Sequence, residues 1–205
     1  MEIDFLFTIA ILIMSVVIHE VAHGYAALSF GDPTARLSGR LTLNPAKHLD
    51  PVGSFIVPAL AYFLGGFIIG WAKPVPYNPY NFSRERAGTI AVALAGAAAN
   101  FLLAIVFGIL LRVFGGALPA GFFDIAVLII LINLILGVFN LIPVPPLDGS
   151  KLLFALLPYR FRFVQDAMER YWIFLIFILL FFAWRFIVPV VGFLFTLVSG
   201  IPAPF

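Results

Sequence analysis

The sequence predicts an all-α polytopic membrane protein: about four transmembrane helices, a re-entrant segment and a short membrane-associated β hairpin, all in one domain over residues 1–205. Three observations carry this expectation. The 205 residues are 63% hydrophobic and 11% charged, against about 25% charged in a soluble domain, so polar side chains are too few to cover a water-soluble globule. The mean hydropathy is +1.12. Uninterrupted apolar stretches of about 20 residues match the hydrocarbon thickness of a bilayer, where backbone groups must pair internally and helices are favoured. A soluble enzyme, a disordered tail and a nucleic-acid binder are excluded on these grounds. The absence of cysteine excludes disulfides, thiolate zinc sites and cysteine nucleophiles.

The elements follow in order. An apolar run from Phe5 to about Phe30 is broken only by Ser15, His19, Glu20, His23 and Ser29. It lacks a basic leading region and a clean small-residue cleavage site, so it reads as a span rather than a signal peptide. Gly31 to Asp50 is polar and turn-rich. Within it, Leu37, Leu41 and Leu43 fall on odd positions around Gly39, which predicts a short strand or hairpin. Pro51 to Trp71 is apolar but interrupted by Pro58 and Gly65-Gly66, and Ala72 to Phe82 is Pro-rich and extended. Ala87 to Phe114 is a long helix rich in small residues, suited to close helix packing. A tight loop, Gly115 to Gly121, leads to a span from Phe122 to Asn140 that ends in "NLIPVPPLDG". An amphipathic connector precedes the last apolar run, Tyr171 to Val198. That run is about 42 Å long as helix, which fits one tilted or kinked span. No internal repeat, low-complexity tract or appended soluble domain is expected.

His19-Glu20-Val21-Ala22-His23 reads H-E-x-x-H inside a helical run. Residues four apart share a helix face, so two imidazoles can grip one metal ion, with Glu20 beside them to take a proton from water. Three ionisable groups in hydrocarbon each cost a few kcal/mol, which argues against two histidines merely satisfied by backbone carbonyls. Nitrogen and oxygen donors in an open site point to a single Zn2+ ion, and catalytic zinc takes three protein ligands. His48, Asp50, Asp124 and Asp148 are candidates for the third. Asp148 is preferred: Pro143, Pro145 and Pro146 unwind the chain before it and Gly149 frees the backbone after it. The alternative is that Asp148 only caps a helix beginning at Ser150. His48 is expected to support a ligand from behind or to fasten its loop rather than to hold the metal.

Topology and charge agree with this. His19, His23 and Asp148 must lie on one side, yet three apolar segments (51–71, 87–114 and 122–140) separate them, so 51–71 is expected to be re-entrant. Ten of the 12 basic residues then fall on the side of the site, with Arg112 near the opposite loop. Positive charge marks the cytoplasmic side. The expectation is a multi-pass protein of the cell membrane whose site opens toward the cytoplasm.

The stretches "HEVAH", "GDPTARLSGRLTLNPAKHLDPVGS", "GWAKPVPYNP", "AGAAAN" and "FNLIPVPPLDGS" together resemble the site-2 intramembrane zinc metalloproteases, most nearly the short prokaryotic type without a PDZ domain. The resemblance covers nearly the whole chain. It implies His19, His23 and Asp148 as zinc ligands and Glu20 as the catalytic glutamate. It also implies Asn140 and Asn100 as residues that help bind substrate or stabilise the reacting carbonyl. Family members usually show Pro where Ala97 stands. The partner implied is a transmembrane helix of a membrane-protein substrate, within the lipid bilayer and with no nucleic acid. Such a helix must unwind before attack, and the strand-like Arg36 to Leu43 could receive it by edge pairing. A divalent-metal transporter and a non-catalytic scaffold are the alternatives. A transporter would spread its acids and histidines along a route through the membrane, whereas here they cluster at one depth.

Overall fold

The computed structural model describes residues 5–50 and 73–205. Four of its helices are long and apolar enough to cross a membrane: Leu6–Ser29, Glu85–Ala117, Ala120–Asn140 and Trp172–Ser199. The re-entrant segment expected over 51–71 lies outside the described residues. The residues flanking it are close together, since Lys73 N donates to His48 O at 2.9 Å.

The first helix, α1 (Phe5–Ser29), turns large apolar side chains such as Leu6, Phe7 and Leu12 outward, as a bilayer requires. Its opposite face carries Ser15, His19, His23 and Ala27, four residues apart and all buried. Helix α2 (Thr34–Leu37) is a single turn. The longest helix among the described residues, α3 (Glu85–Phe114), touches α1 and three of the later helices. A row of residues four apart, Gly88, Val92, Gly96, Asn100, Ala104 and Gly108, is buried along it. Small side chains on this row let neighbouring backbones approach.

Pro119 precedes α4 (Ala120–Asn140), which returns along α3 and ends where Pro143, Pro145 and Pro146 remove backbone donors. Then come α5 (Asp148–Leu156), the amphipathic α6 (Arg162–Arg170) and α7 (Trp172–Ser199). The last apolar run is one helix continuing through Pro189, in line with the single span expected. Ala104 and Leu111 of α3, Ile130 and Leu134 of α4, and Ile187, Val191 and Phe195 of α7 form the main apolar core. At the far end of this core the Arg112 guanidinium donates to Leu197 O at 2.7 Å, a cation at a helix C-terminus.

The expected β hairpin is not formed: no strand occurs among the described residues. Leu37 and Leu43 are 81% and 54% exposed, so the alternating leucines do not define a buried face. Side chains take up the local backbone groups that a strand would have paired. Arg40, buried, donates to the carbonyls of Lys47, Lys73 and Pro74. Asp32, fully buried, accepts from Thr34 N at 3.1 Å, Thr34 Oγ1 at 2.5 Å, Asn78 N at 2.7 Å and Asn81 Nδ2 at 2.7 Å. The docking edge expected over Arg36 to Leu43 falls with the hairpin. What stands there is a loop tied by Asp32 and Arg40 to the extended segment that begins at Lys73.

Burial alone would raise the Asp32 carboxyl, but the hydrogen bonds from Thr34, Asn81 and Asn78 outweigh it and hold the group below the ordinary carboxylate range. A carboxyl depressed in the folded state stabilises it above the unfolded pKa, and that stabilisation is lost as pH falls through the folded value. Asp32→Asn is therefore expected to lower stability by about 2 kcal/mol at pH 7 and to flatten the acid side of the stability profile. Thermal melts in detergent between neutral and acidic pH measure both. A variant as acid-sensitive as the parent contradicts the assignment.

Candidate metal centre

Helix α1 places His19 and His23 one turn apart on its buried face, both 5% exposed. Asp148, also 5% exposed, comes to them from the start of α5. It does not cap a helix beginning at Ser150: it is itself the first helical residue, and its carboxylate is used elsewhere. The distances His19 Nε2 to Asp148 Oδ2, His23 Nε2 to Asp148 Oδ2 and His19 Nε2 to His23 Nε2 are each 3.0 Å.

The outer nitrogens decide what those contacts mean. His23 Nδ1 lies 2.6 Å from Val92 O, a carbonyl that can only accept, so that nitrogen carries the proton. His19 Nδ1 lies 2.6 Å from Asn100 Oδ1 and likewise donates. When neutral, two imidazoles protonated at Nδ1 leave two Nε2 lone pairs facing a carboxylate oxygen. Only positive charge relieves that arrangement. Ligand bonds of about 2.0–2.1 Å in a tetrahedral zinc site space the donor atoms about 3.3 Å apart. The donor chemistry and the spacing both fit a zinc ion.

Two glycines let the backbone close around this point. A Cβ on Gly96 of α3 would lie 2.4 Å from His19 Cε1 and 2.6 Å from His23 Nε2, so only glycine leaves room for both rings. A Cβ on Gly149 would lie 2.2 Å from Leu141 O and 2.4 Å from Ile142 O. That packing of the "PLDG" turn against the end of α4 is what brings Asp148 inward. The other carboxylate oxygen, Asp148 Oδ1, accepts from Lys151 Nζ at 2.9 Å. Burial by itself would lower the Lys151 pKa, but the Asp148 charge outweighs it, so the ammonium stays protonated beyond its ordinary range.

Glu20 is half-buried, and its Oε2 accepts from Val75 N at 2.8 Å. With His19 and His23 it belongs to a group whose donor atoms all lie within 4.8 Å of one another. Of the remaining candidates, His48 and Asn140 bond elsewhere and Asn100 bonds a ring of the site. His48, 1% exposed, donates from Nε2 to Thr42 O at 2.8 Å and fastens its own loop. Asn140 donates to Leu136 O at 3.0 Å, one turn back along α4. Asn100, fully buried, has both ends of its amide engaged: Oδ1 by His19, and Nδ2 by Asn133 Oδ1 at 2.8 Å. Sequence reasoning missed Asn133, Ser15, Lys151 and Arg40. An asparagine in the middle of the apolar run 122–140 was the one signal that could have found Asn133.

A helical membrane bundle that buries two imidazoles and a carboxylate together, with a half-buried glutamate beside them, defines a membrane-embedded metallopeptidase. The comparisons with known proteins say which. Residues 113–183 match the profile of Peptidase family M50. The "Putative zinc metalloprotease YwhC" of Bacillus subtilis (strain 168) is 39% identical over 177 residues, which cover 83% of this chain and 77% of that one. Rip2 of Mycolicibacterium smegmatis, which carries the same designation, is 35% identical over 178 residues, covering 86% of this chain and 66% of that one. Zinc metalloprotease MJ0392 of Methanocaldococcus jannaschii is 24% identical over 157 residues, 36% of its own length. No solved structure matches significantly. The chain belongs to peptidase family M50, the site-2 protease family of zinc metalloproteases. Neither the transporter nor the scaffold reading is favoured.

Gly96→Ala is expected to destabilise the fold by about 1–3 kcal/mol and to weaken zinc binding at least about tenfold by wedging the two rings. Chelator competition in detergent reads the second effect. Parent-like zinc affinity in this variant would show that α3 does not shape the site.

Proposed function

We propose that the chain is a single-domain intramembrane endopeptidase in which His19, His23 and Asp148 hold one zinc ion and Glu20 is the general base. The observation that carries this reading is the triangle of His19 Nε2, His23 Nε2 and Asp148 Oδ2, each 3.0 Å from the other two, beside a glutamate. Zinc, when bound there, supplies Lewis-acid polarisation of water and of the scissile carbonyl.

The protein's own residues do the rest. Val92 and Asn100 hold the two rings by their outer nitrogens, and Lys151 holds the outer oxygen of Asp148, so all three donors keep their aim. Glu20, held through one oxygen by the Val75 N–H, accepts the proton of the attacking water and returns it to the leaving amine. Asn140, at the end of α4 beside the loop that carries Asp148, is the candidate donor to the reacting carbonyl. Asn100 is engaged at both ends of its amide, by His19 and by Asn133, and its part is to hold His19.

The substrate class is a transmembrane segment of a membrane protein, either a tethered regulator or a remnant signal peptide. His19, Glu20 and His23 lie within a helix long and apolar enough to cross the bilayer, and a peptide bond of a transmembrane substrate reaching them must be unwound from its helix. Charge supports a site opening to the cytoplasm of the cell membrane. Arg84, Arg86 and Lys151 are at the end where α3 begins, with the Arg86 guanidinium donating to Ala155 O at 2.9 Å, whereas Arg112 stands alone at the other end of α3.

Glu20→Gln in purified protein is expected to keep one zinc per chain and to lose cleavage of a transmembrane model peptide about 10²–10⁴-fold. His23→Ala is expected to lose the metal and the activity together. Metal analysis alongside gel-based cleavage separates the two cases. A Glu20→Gln protein that retains zinc and cleaves at the parent rate overturns the mechanism.

A further inference from the structure

We infer that Asn133 is a positioning residue for the metal: through Asn100 it fixes which nitrogen of His19 is left bare. This rests on the reading of His19 as a metal ligand.

The two histidines are held by different routes. His23 Nδ1 reaches a backbone carbonyl directly, and a carbonyl admits only a donor. His19 Nδ1 meets a side-chain amide instead, and an amide has two faces. Asn100 turned over would present its NH2 to His19, placing the ring proton on Nε2. That proton would then point at Asp148, where the ion belongs. Something must fix the amide, and α1 and α3 do not supply it.

The fixed point is on α4. Asn133 Nδ2 donates to Ile129 O at 2.9 Å and to Ser15 Oγ at 2.9 Å. Ile129 O can only accept, so the NH2 end of Asn133 is the end facing it. The other end, Oδ1, is thereby an acceptor, and Asn100 Nδ2 donates to it at 2.8 Å. Asn100 Oδ1 is then the atom turned to His19, at 2.6 Å. Polarity passes without ambiguity from one backbone carbonyl of α4, through two amides, to the outer nitrogen of a ring on α1. Ser15 is 3% exposed, Asn133 and Asn100 0% and His19 5%, so bulk water does not compete at any step. Three helices are tied by this relay, and its output is a bare Nε2.

Zinc affinity by chelator competition, with 15N NMR of the histidine rings, tests the relay on the intact protein in detergent. In the metal-free parent at mildly alkaline pH, His19 is expected to show a protonated Nδ1 and a bare Nε2. An Nε2–H ring there overturns the inference without any variant being made. Asn133→Leu is expected to weaken zinc binding about 10–100-fold, with Nε2–H appearing on His19. Asn133→Asp keeps an oxygen facing Asn100 whether or not it is protonated, and is expected to restore the parent tautomer and most of the affinity. The double variant Asn100→Leu/Asn133→Leu is expected to bind no more weakly than Asn100→Leu alone, because both act through one contact. Equal losses in Asn133→Leu and Asn133→Asp, multiplicative losses in the double variant, or an unaltered affinity in Asn133→Leu each contradict the relay. A parent protein that binds no zinc refutes instead the ligand assignment on which the relay rests.

Discussion

His19 Nε2, His23 Nε2 and Asp148 Oδ2 lie 3.0 Å from one another, and their outer contacts put the ring protons elsewhere. With both imidazoles neutral, three lone pairs converging in a low-dielectric interior repel, and the fold must hold them there against that repulsion. Much of the architecture answers to this requirement. Gly96 brings α3 against both rings, Gly149 folds the "PLDG" turn so that the carboxylate faces inward, and Lys151 keeps the outer oxygen occupied. Burying such a set is worthwhile only if a cation completes it. The chemistry of the site and the packing of the bundle are therefore one problem.

The segments outside the bundle serve the same point. Asp32 and Arg40 gather the loop after α1 and the extended chain from Lys73 into one layer. That layer delivers Val75 N to the Glu20 carboxylate. Glu20 thus carries a fixed partner on one oxygen and sits one residue from a ring that is itself fixed. A carboxylate so held loses little freedom when it takes up a proton, as the proposed role of general base requires.

The ends of this site were legible in the sequence and its middle was not. His19, Glu20 and His23 announce themselves because helical spacing alone puts the two rings on one face. Asp148 could be chosen because three prolines and a glycine frame it, a context that costs too much in a membrane without a partner. The spans were legible from length and apolarity. The hairpin was misread because three alternating leucines in a polar loop look like one face of a strand, while the real constraints, Asp32 and Arg40, act on residues up to dozens of positions away. Asn133 escaped for the same reason. Its meaning depends on meeting Asn100 from another helix and on the carbonyl behind it, and neither is encoded in local spacing.

The central claim is that the converging acceptors exist to hold one zinc ion. Metal analysis joined to X-ray absorption at the zinc edge, on protein purified without added chelator, tests it most directly. The account predicts one zinc per chain, ligated by two imidazoles with oxygen completing the shell. Substoichiometric zinc, or a shell with fewer than two imidazoles, would contradict it.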